Sequence, residues 1–236
     1  MGTLRIISRS SQPFADRAEA GRLLARQLQS MGAATEGTVV LGIPRGGIIL
    51  AFEIARARKA DLDIVLSRKM RAPGNPELAI GAVSEDGKLF LNRELVERIG
   101  VGDKYIREEQ ARQMAEIARR SGLIRAVLPR VPLSGKDVIV TDDGIATGAT
   151  MQAALRTVSQ ERPSRLIGAV PVGPEDTLME LARDADEFIC LRSPPDFAAV
   201  GQFFRIFPQI EDEEVVAIMQ EEASRKGLAG EKPRPV

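Results

Sequence analysis

The chain has 236 residues, enough for one full core, and its 33 Lys and Arg balance 33 Asp and Glu, so its zero net charge argues against a nucleic-acid binder held by bulk electrostatics while leaving room for a local basic patch. It has no histidine, which removes imidazole as general base, metal ligand and pH switch. Its one cysteine, Cys190, lies in the apolar run Phe188-Ile189-Cys190-Leu191 and reads as a small buried hydrophobe in a reducing cytoplasm; no apolar run approaches a membrane span, and Met1 to Ser10 hold no signal-peptide core.

Phe14 to Met31 places Ala20, Leu23, Leu24, Leu28 and Met31 on one helical face, with Asp16 as the cap. Val39 to Ile43 reads as a strand, Pro44-Arg45-Gly46-Gly47 as a sharp loop, Ile48 to Arg58 as a helix and Asp63 to Ser67 as a second strand. That βαβ order implies parallel pairing with a right-handed crossover. From 68 to 135 the rhythm breaks. Arg68 to Pro76 is basic and rich in Pro and Gly, which predicts a loop. Leu78 to Val83 and Leu89 to Leu91 flank Glu85-Asp86-Gly87 and predict an antiparallel hairpin. Asn92 caps a short helix to Ile99, and Asp103 to Arg120 predicts a long charged helix whose default role is a solvated face or a dimer contact.

The alternation then resumes with strand 138–141, helix 151–160, strand 165–172, helix 175–183, strand 187–191 and a closing helix 211–225. Five parallel strands with helices between them predict a doubly wound α/β sheet. One domain is expected over 14–222, with 68–135 inserted as a hood or subdomain. The tail 223–236, polar and broken by Gly and Pro, is expected to be disordered.

The most informative segment runs from Val138 to Thr150, Val-Ile-Val-Thr-Asp-Asp-Gly-Ile-Ala-Thr-Gly-Ala-Thr. A β-branched strand ends in two carboxylates, Asp142 and Asp143, and passes through a small, hydroxyl-rich turn into a helix. Free amides and the helix dipole at such a start favour a phosphate. Gly148 allows close approach, and Thr147 and Thr150 add hydroxyl donors. The two carboxylates can accept hydrogen bonds from a sugar cis-diol. An acidic strand-to-helix turn of purely structural purpose is the plainer alternative. Two further loops leave strand ends. Arg45 with Gly46 and Gly47 supplies a cation and backbone donors for a pyrophosphate, and Arg68-Lys69 is a cationic pair. Each also reads as an exposed basic turn. Four of the eight phenylalanines fall within Pro194 to Phe207; their rings either pack a small subdomain or offer a face to a flat base.

The segment 138–150 resembles the phosphoribosyl pyrophosphate (PRPP) binding motif of type I phosphoribosyltransferases: four apolar residues, two acids, then a Thr-Gly-small-Thr turn. It lacks the Lys that a Walker-type loop carries after its last Gly. Over about residues 14–222 the element order is also similar to that family's core, with a hairpin insertion after the second strand and the acidic motif after the third. The match in loop type is to uncharacterised phosphoribosyltransferase-domain proteins with an Arg-Gly-Gly loop.

The resemblance implies a transferase of nucleotide salvage. It would move ribose 5-phosphate from PRPP to a small heteroaromatic base and release pyrophosphate. PRPP would be held by Asp142, Asp143, Ala146, Thr147, Gly148, Ala149 and Thr150, with Arg45, Gly46 and Arg68 at the pyrophosphate. Catalysis would fall to Asp142, Asp143, Arg45 and Lys69. A base pocket would use Phe197, Phe203 and Phe204 under a hood formed by 68–91. Mg²⁺ would arrive with PRPP, with no metal ligand assigned to the protein. A cis peptide between Pro44 and Arg45, a cytoplasmic location and a homodimer are implied as well, with no membrane or nucleic-acid partner. The chain departs from hypoxanthine-type enzymes at Ala146, where they place an acid that takes a proton from the purine. This disfavours that base and leaves a slight lean to a purine of the adenine type. No residue stands out as a general base for the acceptor; Glu77 and Glu85 are the acids to consider. A PRPP-sensing or regulatory domain without turnover is the second class of function. Arg45, Arg68 and Lys69 favour the enzyme, because a sensor has less need to stabilise a leaving group.

Overall fold

A computed structural model describes residues 2–33 and 35–228, with Pro76 and Glu77 described in backbone only. Among these residues nine strands alternate with seven helices: β1 Thr3–Ser8, α1 Arg17–Ser30, β2 Val39–Gly42, α2 Gly47–Arg58, β3 Asp61–Ile64, β4 Ser67–Ala72, β5 Asn75–Ser84, β6 Leu89–Leu91, α3 Arg93–Arg98, α4 Asp103–Arg125, β7 Asp137–Thr141, α5 Ala149–Ser159, β8 Arg165–Val172, α6 Glu175–Leu181, β9 Glu187–Arg192 and α7 Asp212–Arg225. Six strands form a sheet in the order β1-β9-β8-β7-β2-β3, all neighbours parallel, and β4-β5-β6 form a separate antiparallel sheet.

The strand sequences explain the two layers of helices. β2, β7, β8 and β9 are apolar between their ends, as strands covered on both faces must be. Val40, Leu62, Ile139, Ile167 and Ile189 pack with α1, α2 and α7 through Leu24, Leu28, Ile48, Ile54, Val215 and Met219. Val39, Leu41, Val138, Val140, Val170 and Cys190 face the other way, onto Met151, Leu155 and Val158 of α5 and Leu178 and Leu181 of α6. β2 and β7 are neighbours, yet the chain continues from β2 outward to β3 and from β7 outward to β8. Their following loops therefore diverge, and a crevice opens between them beyond the carboxyl ends.

The doubly wound sheet stands, with six strands where the sequence predicts five. The added strand, β1, alternates exposed and half-buried residues along an edge, and Arg5 interrupts its apolar character. That pattern fits an edge strand and is too short and mixed to stand out in a sequence. The basic loop expected from Arg68 is also corrected. Residues 67–72 are extended and pair with β5, Ser67 opposite Ser84 through Ala72 opposite Asn75. Met70 and Ala72 are buried while Arg71 is exposed, so the strand alternation is present but masked by its charges. α4 outruns its expected end at Arg120 because Ile124 is buried and Arg125 is anchored. The tail expected to be disordered from 223 is helical to Arg225, with Ala223 buried; 229–236 lie outside the described residues.

One cluster ties the small sheet to the large one. Arg125 donates from Nη1 to Asp63 Oδ1 at 2.6 Å, and from Nε and Nη2 to the two oxygens of Glu85 at 2.8 and 2.9 Å. Asp63, at 1% exposure, also accepts from the Val131 amide at 2.8 Å. Among the described residues no helix is long and apolar enough to cross a membrane.

Candidate functional site

β7 delivers Asp142 and Asp143 to the carboxyl end of a central strand, beside the loop that leaves β2. That loop folds tightly: the Ile43 amide donates to Thr141 O at 2.9 Å and the Gly47 amide to Ile43 O at 3.0 Å. The Pro44–Arg45 peptide is cis, as the family resemblance implies. Glycine is required at both following positions. A Cβ on Gly46 would sit 1.9 Å from Asp143 Oδ2, and one on Gly47 2.7 Å from Thr141 O. Close approach between this loop and the acid pair is thus written into the two glycines.

The two carboxylates are not equivalent. Asp142 Oδ1 accepts from the Asp143 amide at 2.8 Å. Burial, then the charge of Asp143, hold the Asp142 carboxyl well above the usual range, against the nearby Arg17 guanidinium. Asp143 instead has a dedicated cation: its Oδ2 accepts from Arg17 Nε at 2.7 Å.

Beyond the pair, Ile145 is buried and its amide donates to Val172 O at 2.9 Å, which anchors the turn. Ala146, Thr147 and Thr150 are exposed. Gly148, at φ 76°, begins α5 in the left-handed region, and a Cβ there would meet Thr177 Cγ2 at 2.7 Å. The first turn of α5 has amides without intrahelical acceptors, at the positive end of the helix dipole. The expected phosphate loop is therefore open to solvent and directly adjacent to the acid pair.

The cationic residues separate into two groups. Arg68, Lys69 and Arg71 of β4 line a cavity of about 240 Å³ with Pro44, Thr150 and Arg120. Gln113 and Glu116 of α4 also reach it: Arg68 Nε donates to Gln113 Oε1 at 3.2 Å, and Glu116 lies 3.9 Å from Arg68 Nη2. Arg45 is not among these residues. It lines a second cavity, about 430 Å³, with Arg17, Gly46, Phe207 and Gln209, and its Nη1 meets Glu211 Oε2 at 2.9 Å. A broader depression of about 520 Å³ opens at the amino ends of β8 and β9, away from these loops.

The aromatic segment packs more than it presents. Backbone bonds zip it to the start of the chain, Phe14 N to Phe203 O and Arg205 N to Phe14 O, both 2.8 Å. This buries Phe203 and Phe204. Phe204 contacts Phe14 at 5.4 Å and Phe207 at 4.9 Å between centroids, and Phe203 contacts Phe197 at 5.2 Å. Of the three rings expected in a base pocket, Phe203 and Phe204 have no face left for a base, and half-buried Phe197 remains. Glu85 is likewise committed. Burial opposes its ionisation, but hydrogen bonds from Arg125 and Ser121 and the charge of Arg125 bring its carboxyl below the usual range, which does not suit a general base. The Glu77 side chain lies outside the described residues.

Arg17 escapes the sequence reading. It follows the Asp16 cap as the first residue of α1, where a cation opposes the helix dipole. That local mismatch is the signal that could have drawn attention to it. Arg120 and Gln113 carry no such signal, because the helix that holds them is charged throughout.

Residues 15–203 match the phosphoribosyl transferase domain. A Mycobacterium tuberculosis protein of strains H37Rv and CDC 1551, provisionally named a phosphoribosyl transferase, is 41% identical over 206 residues, covering 87% of this chain and 46% of that protein. A ribose-phosphate pyrophosphokinase of Sulfurisphaera tokodaii is 27% identical over 152 residues, covering 60% of this chain and 50% of the other. The chain spans about half the length of these curated relatives. The crystal structure of TT1426 from Thermus thermophilus is 44% identical, with a TM-score of 0.83, covering 89% of this chain and 99% of that one.

Proposed function

The chain belongs to the phosphoribosyl transferase domain family, and on that premise we propose that it transfers ribose 5-phosphate from PRPP to a small heteroaromatic base with release of pyrophosphate. The observation that carries this is the juxtaposition at one strand end of an acid pair, an exposed Gly-Thr helix start and a cation-lined cavity. Each part suits one part of PRPP. The amides and hydroxyls of Ala146 to Thr150 take the 5-phosphate. Asp142 and Asp143 accept from the ribose hydroxyls. Arg68 and Lys69 stabilise the pyrophosphate in the cavity they share with Thr150, and Arg45, which lines the adjacent cavity, reaches it on release from Glu211.

In the reaction, a bond forms between a ring nitrogen of the base and C1 of the ribose while the bond from C1 to the pyrophosphate oxygen breaks. The electron pair leaves with the pyrophosphate, the proton of the base's ring N–H passes to the departing pyrophosphate or to water, and positive charge builds on the sugar ring, as in glycoside chemistry. Fixed carboxylates beneath the ring and fixed cations around the leaving group oppose both charges without reorganisation. The donor set also suits Mg²⁺: Asp142 and Asp143 offer carboxylate oxygens next to the helix start where the phosphate would lie, which fits an ion that keeps waters and binds largely through its substrate. When bound, Mg²⁺ neutralises charge on the leaving pyrophosphate.

Calorimetric titration with Mg·PRPP tests the ribose role. Asp142→Asn combined with Asp143→Asn is expected to weaken binding, by about 1.5–3 kcal/mol for each charge-assisted hydrogen bond removed. Equal affinities in wild type and double variant would remove the acid pair from the site.

A further inference from the structure

Arg17 comes from the far end of the chain, yet it lies against the acid pair. It is 7% exposed, and its guanidinium is held on several sides. Nε donates to Asp143 Oδ2 at 2.7 Å, and Nη1 to the Pro208 carbonyl at 2.7 Å. Its carbon sits 3.7 Å from the centroid of Phe207, which also stacks on Phe204 at 4.9 Å. This is a planar fork held on one side by a ring and on two edges by oxygen acceptors, a geometry that lysine cannot reproduce. Burying an arginine is costly without full pairing, and both partners lie at the edge of the proposed sugar site or in the segment after β9.

We propose that Arg17 is a positioning residue of the ribose site, fixing the orientation of Asp143 and itself being held in register by Phe207 and Pro208. The inference rests on the acid pair being the ribose site. Arg17 engages one oxygen of Asp143, so the guanidinium sets the plane in which that carboxylate lies. Asp142 feels the charges of Asp143 and Arg17, while Arg45 on the adjacent loop is turned to Glu211. Residues 204–210 thereby become a supporting part of the site. Phe207 acts there as a shelf for Arg17, since its ring is engaged by Arg17 and Phe204.

Three variants test this: Arg17→Gln, Arg17→Lys and Phe207→Leu, each titrated with Mg·PRPP at a temperature where melting curves show it folded. Arg17→Gln is expected to lose about tenfold to hundredfold in affinity, the scale seen when a group that orients a ligand side chain is removed. Arg17→Lys should recover only part of the loss, and Phe207→Leu should fall between Arg17→Lys and wild type. Added guanidinium ion at non-denaturing concentration should restore binding to a fourth variant, Arg17→Ala, and leave Phe207→Leu unchanged, which a merely structural role would not produce. Wild-type binding that Arg17→Gln leaves unaltered would overturn the inference and spare the reading of the site. If wild type binds no Mg·PRPP, the reading of the site falls, and the inference that rests on it falls with it.

Discussion

At the residue scale, Asp142 sets stability against function. Burial and the Asp143 charge hold its carboxyl above the ordinary value of 3.8, so the folded chain binds a proton there more tightly than the unfolded chain does. With that sign, stability is highest at or below the ordinary value and falls as pH rises from there through the raised folded value. Asp142→Asn removes the cost. The free protein should therefore melt higher than wild type at neutral pH, with the difference vanishing as pH falls below about 4. A variant that melts lower at neutral pH would show that the carboxylate is stabilised in place. The acid pair was legible in the sequence because two carboxylates after a β-branched run have few structural uses. The state of each acid was not, since the Arg17 that pairs with Asp143 is 126 positions away. The burial of Phe203 and Phe204 was hidden for the same reason: the pairing of 203–205 with Phe14 that covers them is a long-range contact no local pattern announces.

Elements explain how the site is held and restrained. The start of α7 carries two acids that grip cations from different elements: Glu211 holds Arg45 of the loop after β2, at 2.9 Å, and Asp212 holds Arg119 and Arg120 of α4, at 3.0 and 3.5 Å. Glu211→Gln removes the charge that holds Arg45. An exposed pair of this kind contributes about 0.2–1 kcal/mol, so affinity for Mg·pyrophosphate should rise by about 1.4-fold to fivefold in calorimetry. A fall would mean that Glu211 places Arg45 for the ligand instead of competing with it. In the small sheet, Asp86 joins β5 to β6 by accepting from Ser84 and pairing with Lys88. Burial opposes its ionisation, but the hydrogen bonds from Lys88 and Ser84 prevail and bring its carboxyl to about 2. A depressed value means the contribution is present above 3.8 and lost as pH falls through about 2. Hydrogen-exchange protection at the Ser84 and Gly87 amides should decline across that window in wild type and stay level in Asp86→Asn; parallel declines would assign the acid sensitivity elsewhere. This hairpin was readable because Glu85-Asp86-Gly87 is strong turn chemistry between apolar runs. β4 was not, because Arg68, Lys69 and Arg71 conceal a strand whose inward residues are Met70 and Ala72.

For the whole molecule, the order of strands carries the functional argument. Strand-helix alternation in the sequence fixes a parallel sheet, but only tertiary pairing places β2 beside β7 and sends β3 and β8 outward from them. That arrangement brings the Pro44–Gly47 loop, the acid pair and the start of α5 to one crevice, and folds the insertion so that Arg68 and Lys69 share a cavity with Thr150. The sheet's sixth strand, β1, widens an edge remote from the crevice and alters none of this. Turnover separates the proposed transferase from a sensor that would bind PRPP and stop. The direct measurement is pyrophosphate release from Mg·PRPP by the purified protein, with no base and then with each base of a purine and pyrimidine panel. The account predicts release that depends on one heteroaromatic base and is negligible without it. Tight PRPP binding with no release for any base would contradict transfer and leave a sensor; release without a base would make the protein a PRPP hydrolase.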